Sequence, residues 1–239
     1  MTLLDDVLAA YGGADRWKQI DTITIHQLVG GVLWPLKEVG GILDDSIVEI
    51  AVQHERTRHW PLPEPGLHSE FTPDLVLIKR DDTDETVDTL ADPRASFAGH
   101  TLETPWSTQQ LAYFSGYAMW TYLSEPYSLT FPGVVTEELG DWRENGQTWR
   151  RLGVRYPDGI ATHGADQMLY VDSDGLVRRR DYQVDIGGGS AAAHYSDDHR
   201  EFDGIVLPVT RRVYPRDDDR RPVSEPLLVS IDIDDVTVR

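Results

Sequence analysis

Apolar and polar residues alternate along most of this chain, and only short stretches follow a helical period. The last third, Gln167 to Val238, is the clearest case. Leu169-Tyr170-Val171 runs into the tight-turn sequence Asp172-Ser173-Asp174-Gly175, and Leu176 to Ile186 runs back. Asp203-Gly204 precedes Ile205-Val206-Leu207-Pro208-Val209, another strand. Between Leu227 and Ile233 the period of two predicts Leu227, Val229, Ile231 and Ile233 inside, with Ser230, Asp232 and Asp234 in solvent. Near the start, Thr22 to Val29 puts Ile23, Ile25 and Val29 on one face and Thr22, Thr24 and His26 on the other; Ser46 to Gln53 reads as a further strand. Leu75–Lys79 and Glu85–Leu90 form a hairpin around Asp81-Asp82-Thr83-Asp84. Glu138 to Tyr156 folds back at Asn145-Gly146, a pair that accepts the positive φ of a two-residue turn. Arg56 to Pro73 carries Pro61, Pro63 and Pro65, which cannot donate to a ladder, and predicts an irregular edge segment. Val32 to Leu36, between two glycine pairs, predicts a loop or bent strand.

Helical spacing is confined to two regions. Leu4, Val7, Leu8 and Tyr11 lie on one face of a helix that Gly12-Gly13 ends, and Ala14 to Gln19 adds a short turn. Thr104-Pro105 predicts the start of a second helix, with Thr104 as N-cap, running to about Leu123 and stopping before Pro126. The predicted fold is α+β, mostly antiparallel β: one domain, 1–239, in which a curved sheet or incomplete β-barrel carries an N-terminal helix and an aromatic helix across its concave face.

Composition narrows this further. The net charge is −19, with lysine only at positions 18, 37 and 79, so the surface field repels nucleic acid and anionic membranes. A GC-rich genome and a high-salt cytoplasm would both favour such an acidic, lysine-poor chain. There is no cysteine, hence no disulfide framework and no thiolate nucleophile or ligand. Met1 to Asp6 lacks the basic and apolar regions of an export signal, and the expectation is a soluble cytoplasmic protein.

Three groups of residues carry candidate chemistry. In the second helix Leu111, Phe114, Ala118 and Tyr122 trace one face and Tyr113, Tyr117 and Trp120 a neighbouring one; Trp106, Tyr113, Tyr117 and Trp120 are the candidate ligand-binding aromatics. His100, His163 and His194, with Tyr182, are the candidate acid–base residues, provided that two or more histidines converge. Parity in Leu176–Ile186 sets Arg178 and Arg180 beside Tyr182 on the apolar face, where a cation needs a carboxylate or an anionic or carbonyl-bearing ligand. No metal site is expected, since His194 and His199 fit no ligand spacing. No cofactor is expected either: Gly187-Gly188-Gly189-Ser190 lacks the lysine and strand-to-helix context of a phosphate loop.

The order of these segments resembles a known superfamily. Tyr11-Gly12-Gly13 after a short helix, Tyr170-Val171-Asp172-Ser173-Asp174-Gly175-Leu176-Val177-Arg178-Arg179 and Asp203-Gly204-Ile205-Val206-Leu207-Pro208 are similar to the periplasmic lipoprotein carriers of the LolA/LolB type. The stretches Asp92 to His100 and Tyr113 to Trp120 also resemble uncharacterised bacterial proteins. The resemblance implies an incomplete barrel around an apolar, helix-lidded cavity that takes acyl chains. Two functions follow as expectations: binding of a small apolar or amphipathic molecule between sheet and helix, or a cofactor-independent isomerase, lyase, cyclase or small hydrolase in the same cavity.

Overall fold

The structure, a computed structural model, describes residues 2–239. Its thirteen strands form one antiparallel sheet in the order β6-β5-β4-β3-β2-β1-β13-β12-β11-β10-β9-β8-β7. The first half comprises β1 (Thr22–Gly30), β2 (Asp45–Ala51), β3 (Arg56–Trp60), β4 (Leu67–Thr72), β5 (Leu75–Arg80) and β6 (Thr86–Ala91). The second half comprises β7 (Val135–Glu144), β8 (Gln147–Arg155), β9 (Asp166–Val171), β10 (Val177–Val184), β11 (Ser190–Phe202), β12 (Ile205–Pro215) and β13 (Val229–Val238). Each half is a meander, and β1 pairing with β13 joins them in the middle. The edges β6 and β7 do not pair, so the curved sheet is an incomplete barrel.

The helices are α1 (Leu3–Ala10), α2 (Ala14–Trp17), α3 (Leu33–Leu36) and α4 (Thr108–Ser124). The link between the two edge strands contains α4, which runs through the concave side against β2 to β5. This explains its composition: every residue from Gln110 to Ser124 is buried, as expected of a helix apolar nearly all round. At Gly116 an added Cβ would lie 2.4 Å from Phe71 Cγ, so glycine lets α4 approach β4 closely. On the other half of the sheet α1 packs Leu3, Val7 and Tyr11 on Leu152, Leu169 and Val177.

Several expectations change. Arg56 to Pro73 is not an edge: the prolines gather in the connection, while Thr57, His59, Ser69 and Phe71 alternate inward on the interior strands β3 and β4. Val32 to Leu36 is mostly the short helix α3. The second helix starts at Thr108 because Ser107 and Gln110 form a reciprocal capping box; Thr104 Oγ1 instead accepts from Thr101 N at 2.9 Å. In β13, Val229, Ile231 and Ile233 are buried and Asp234 is exposed, with Leu227, Ser230 and Asp232 half-buried. The Asn145-Gly146 turn has φ of 49° and 77°, the pair of positive values that a tight hairpin needs.

Candidate functional site

Between α4 and the sheet lies an apolar cavity of about 70 Å³. Phe114, Ala118 and Tyr122 form its α4 wall, and Val29, Val213 and Ile231 belong to its sheet wall. Trp34 and Lys37, from α3 and just after it, close one side with Trp106. Lys37 Nζ is tied to Thr101 O at 3.0 Å and Thr104 O at 3.2 Å, and sits 4.8 Å from the Trp106 ring centre. Burial lowers the pKa of this ammonium. Half-buried Leu102, Val184, Ser190 and Leu228 also line the cavity and mark its mouth. There the Gly187-Gly188-Gly189 turn leans on His100 and Thr101: a Cβ on Gly188 would lie 3.4 Å from His100 O.

A hydrogen-bonded cluster of buried polar side chains forms part of the cavity wall. His163, in the β8–β9 connection, stacks on Tyr182 of β10 with ring centres 4.1 Å apart and 7° between planes. Its Nε2 lies 2.7 Å from Tyr122 Oη, its Nδ1 3.3 Å from Tyr117 Oη, and Tyr122 Oη lies 3.2 Å from Tyr182 Oη. Complete burial pushes the imidazole down to about 3 and the Tyr182 phenol well above its ordinary value, so both are neutral near pH 7. Behind Tyr122 lie two buried guanidiniums. Arg180 pairs with Glu125, and its centre is 5.7 Å from the Tyr122 ring. Arg211 is 4.9 Å from the same ring and donates to Tyr122 O at 2.9 Å and Ser196 Oγ at 3.2 Å. His194, whose ring centre is 4.5 Å from that of Tyr122, is held neutral by burial and by Arg211.

The predicted residues divide accordingly. His163, Tyr182 and Trp106 line the cavity; Arg180 and His194 stand behind Tyr122. His163 and His194 converge on Tyr122, but only His163 faces the cavity. His100 does not line the cavity: its carbonyl borders the mouth beside Gly188, and its half-buried ring lies 5.3 Å from Phe97. Tyr113, Tyr117 and Trp120 do not line the cavity: Tyr113 packs on Phe71, Trp120 Nε1 donates to Ala51 O and His54 O, and Tyr117 packs behind Phe114 with its hydroxyl on His163. The neighbouring helical face, Phe114, Ala118 and Tyr122, takes their place. The inward parity of Arg178 also fails, because the β9–β10 pairing shifts between Val177 and Arg179. Arg178 is half-buried and pairs with Asp172 at 2.6 Å. Beyond the bulge Arg179 and Asp181 turn to the convex face, where they pair at 2.7 Å beside Tyr170 and are buried.

Arg211 went unnoticed in the sequence although its signal is there: it interrupts the alternation Ile205, Leu207, Val209, Val213 at an inward position. Glu125 and Lys37 carry no comparable signal. Away from the cavity, His68, Glu70 and Asp84 bring ligand atoms within 4.8 Å of one another. Arg58 at 2.6 Å from Glu70 and Lys79 at 3.2 Å from Asp84 already balance that charge, so the group makes no case for a metal.

These features define a class: an open antiparallel barrel, lidded by helices, around a small apolar cavity, which is the LolA-like fold. Solved structures agree. A protein from Desulfovibrio piger of a family known by its domain of unknown function 1329 superposes with a TM-score of 0.52 at 14% identity, covering 98% of this chain and 93% of the other. A Vibrio parahaemolyticus domain assigned to outer membrane lipoprotein sorting gives 0.53 at 10% identity, covering 99% and 91%. A LolA-superfamily protein from Nitrosomonas europaea gives 0.52 at 10% identity, covering 98% and 92%. No protein-family model and no curated protein matches the sequence.

Proposed function

We propose that this protein binds a small apolar or amphipathic molecule in the cavity between α4 and the sheet. The observation that carries the reading is the cavity itself, a space walled mainly by apolar side chains between α4 and the sheet, with the hydrogen-bonded His163, Tyr122 and Tyr182 in its wall. The likeness to a domain assigned to lipoprotein sorting supports cargo with an apolar part. A volume of about 70 Å³ is well below the roughly 300–1,000 Å³ of pockets for drug-sized ligands, so a ligand longer than a few carbons parts the walls. The Gly187–Gly189 turn beside His100 and Thr101 borders the mouth and is the place where the walls would part. Titration with the neutral fluorophore N-phenyl-1-naphthylamine tests the reading. Saturable binding at one site is expected, and Ala118→Phe, which fills the cavity from α4, should abolish it. Absence of saturable binding, or binding unchanged by Ala118→Phe, would refute the proposal.

An acid–base enzyme is the second reading, favoured by the contact of His163 with Tyr122 and Tyr182 at the cavity wall. Against it, an imidazole held at about 3 is a poor general base near pH 7, and a phenol raised well above 10 a poor acid. Neutral groups of this kind suit recognition better than proton transfer.

A further inference from the structure

We propose that the cavity takes an anionic amphiphile, a single-chain carboxylate, with its head against Tyr122 and Tyr182 and its tail along the apolar wall. This rests on the ligand-binding reading above and names the chemistry of the ligand.

The first observation is a count of hydrogens. Tyr117, Tyr122, Tyr182 and neutral His163 carry four N–H or O–H hydrogens among them, and three contacts join the chain. One hydrogen is therefore left over. If His163 carries its hydrogen on Nδ1, it donates to Tyr117, and the spare hydrogen sits on Tyr117, away from the cavity. If Nε2 carries it, the spare hydrogen sits on Tyr122 or Tyr182, both of which line the cavity. An acceptor oxygen at this part of the cavity wall uses that hydrogen and selects the second tautomer.

The second observation is charge. Glu125 compensates Arg180, but among the described residues no carboxylate lies within 4 Å of Arg211. Its partners are a backbone carbonyl, a hydroxyl and the neutral ring of His194, 3.4 Å from Nη1. Arg211 Nε and Arg180 Nη1 are buried without hydrogen-bond partners. Both guanidiniums pack on the ring of Tyr122, a residue that lines the cavity, so an excess positive charge lies just behind this part of the wall. In a protein of net charge −19, this is a buried place where an anion is attracted rather than repelled. A carboxylate satisfies both features, since it accepts hydrogen bonds and carries the missing charge.

The test uses the full chain, with decanoate and decanol as probes at pH 7.5, followed by calorimetry and by the fluorescence of Trp34 and Trp106 at the cavity wall. Hydrogen bonds to a charged group are the stronger kind, so decanoate should bind about tenfold or more tighter than decanol. Tyr182→Phe, which removes only a hydroxyl, should weaken decanoate by about tenfold. Arg211→Met should bring the ratio of decanoate to decanol affinity down to about one. If Arg211→Met does not fold, Tyr182→Phe decides. Equal binding of decanoate and decanol, or a preference that survives the substitutions, overturns the inference and leaves the ligand-binding reading standing. Binding of neither probe overturns both.

Discussion

Glu125→Ala should be the most damaging single change near the cavity. Arg180 is 3% exposed and Glu125 9%, so the substitution strands a guanidinium where water cannot reach it. Breaking one side of a buried ion pair costs about 3–5 kcal/mol. Two details here favour the upper part of that range. Arg180 Nη1 already lacks a partner, and Arg211, facing the same tyrosine ring, adds a second cation with no carboxylate. For a chain of this size about 2–4 °C of Tm goes with each kcal/mol, which gives a drop of about 6–20 °C. Urea denaturation monitored by tryptophan fluorescence and by circular dichroism should show a lower midpoint with an unchanged slope. The control is Arg180→Met combined with Glu125→Gln, which replaces the pair by uncharged groups of similar size. It should lie within about 1 kcal/mol of the wild type, because the desolvation of both charges disappears with their attraction. A loss below about 1 kcal/mol for Glu125→Ala, or a double variant as unstable as the single one, would refute the reasoning.

Other outcomes follow from the same structure. Gly116→Ala raises helix propensity by about 1 kcal/mol but drives a methyl group into Phe71; overpacking costs about 1–3 kcal/mol, so thermal melts should show a net loss. His59 is buried with neither ring nitrogen hydrogen-bonded, and His59→Leu should stabilise the protein at pH 7 by about 1–3 kcal/mol in urea melts. Burial holds His59 and His163 at about 3, below their ordinary 6.5, so the unfolded chain binds more protons than the folded one in that window. Their contribution to stability is complete above pH 6.5 and is lost as pH falls towards 3, by about 1.4 kcal/mol per pH unit for each histidine. His59→Leu should therefore flatten the dependence of unfolding free energy on pH between these values, and an unchanged slope would show that His59 protonates in the folded state.

Local chemistry made much of the fold legible in the sequence. The inward residues of β1 and β13 follow from alternation, because successive side chains on a strand point to opposite faces whatever the strand packs against. The Asn145-Gly146 hairpin and the antiparallel class depend on contacts a few residues apart, and so does the end of α1 at Tyr11-Gly12-Gly13. The burial of α4 was legible too, since a helix apolar on every side has no other place. What the tertiary structure decided are matters in which distant segments compete for the same space. The sequence marks two aromatic faces on α4 equally well; the close approach of Gly116 to Phe71 turns one towards β4 and leaves Phe114, Ala118 and Tyr122 to the cavity. A bulge at Arg178 reverses parity for one residue, so Arg180 points inward and Arg178 does not. Arg211 is 31 positions from Arg180 along the chain (211 − 180), yet strand order brings both guanidiniums to the Tyr122 ring. A polar cluster in an apolar core is a non-local property: its members have no common period, and only the pairing of β10, β11 and β12 beneath the end of α4 assembles them.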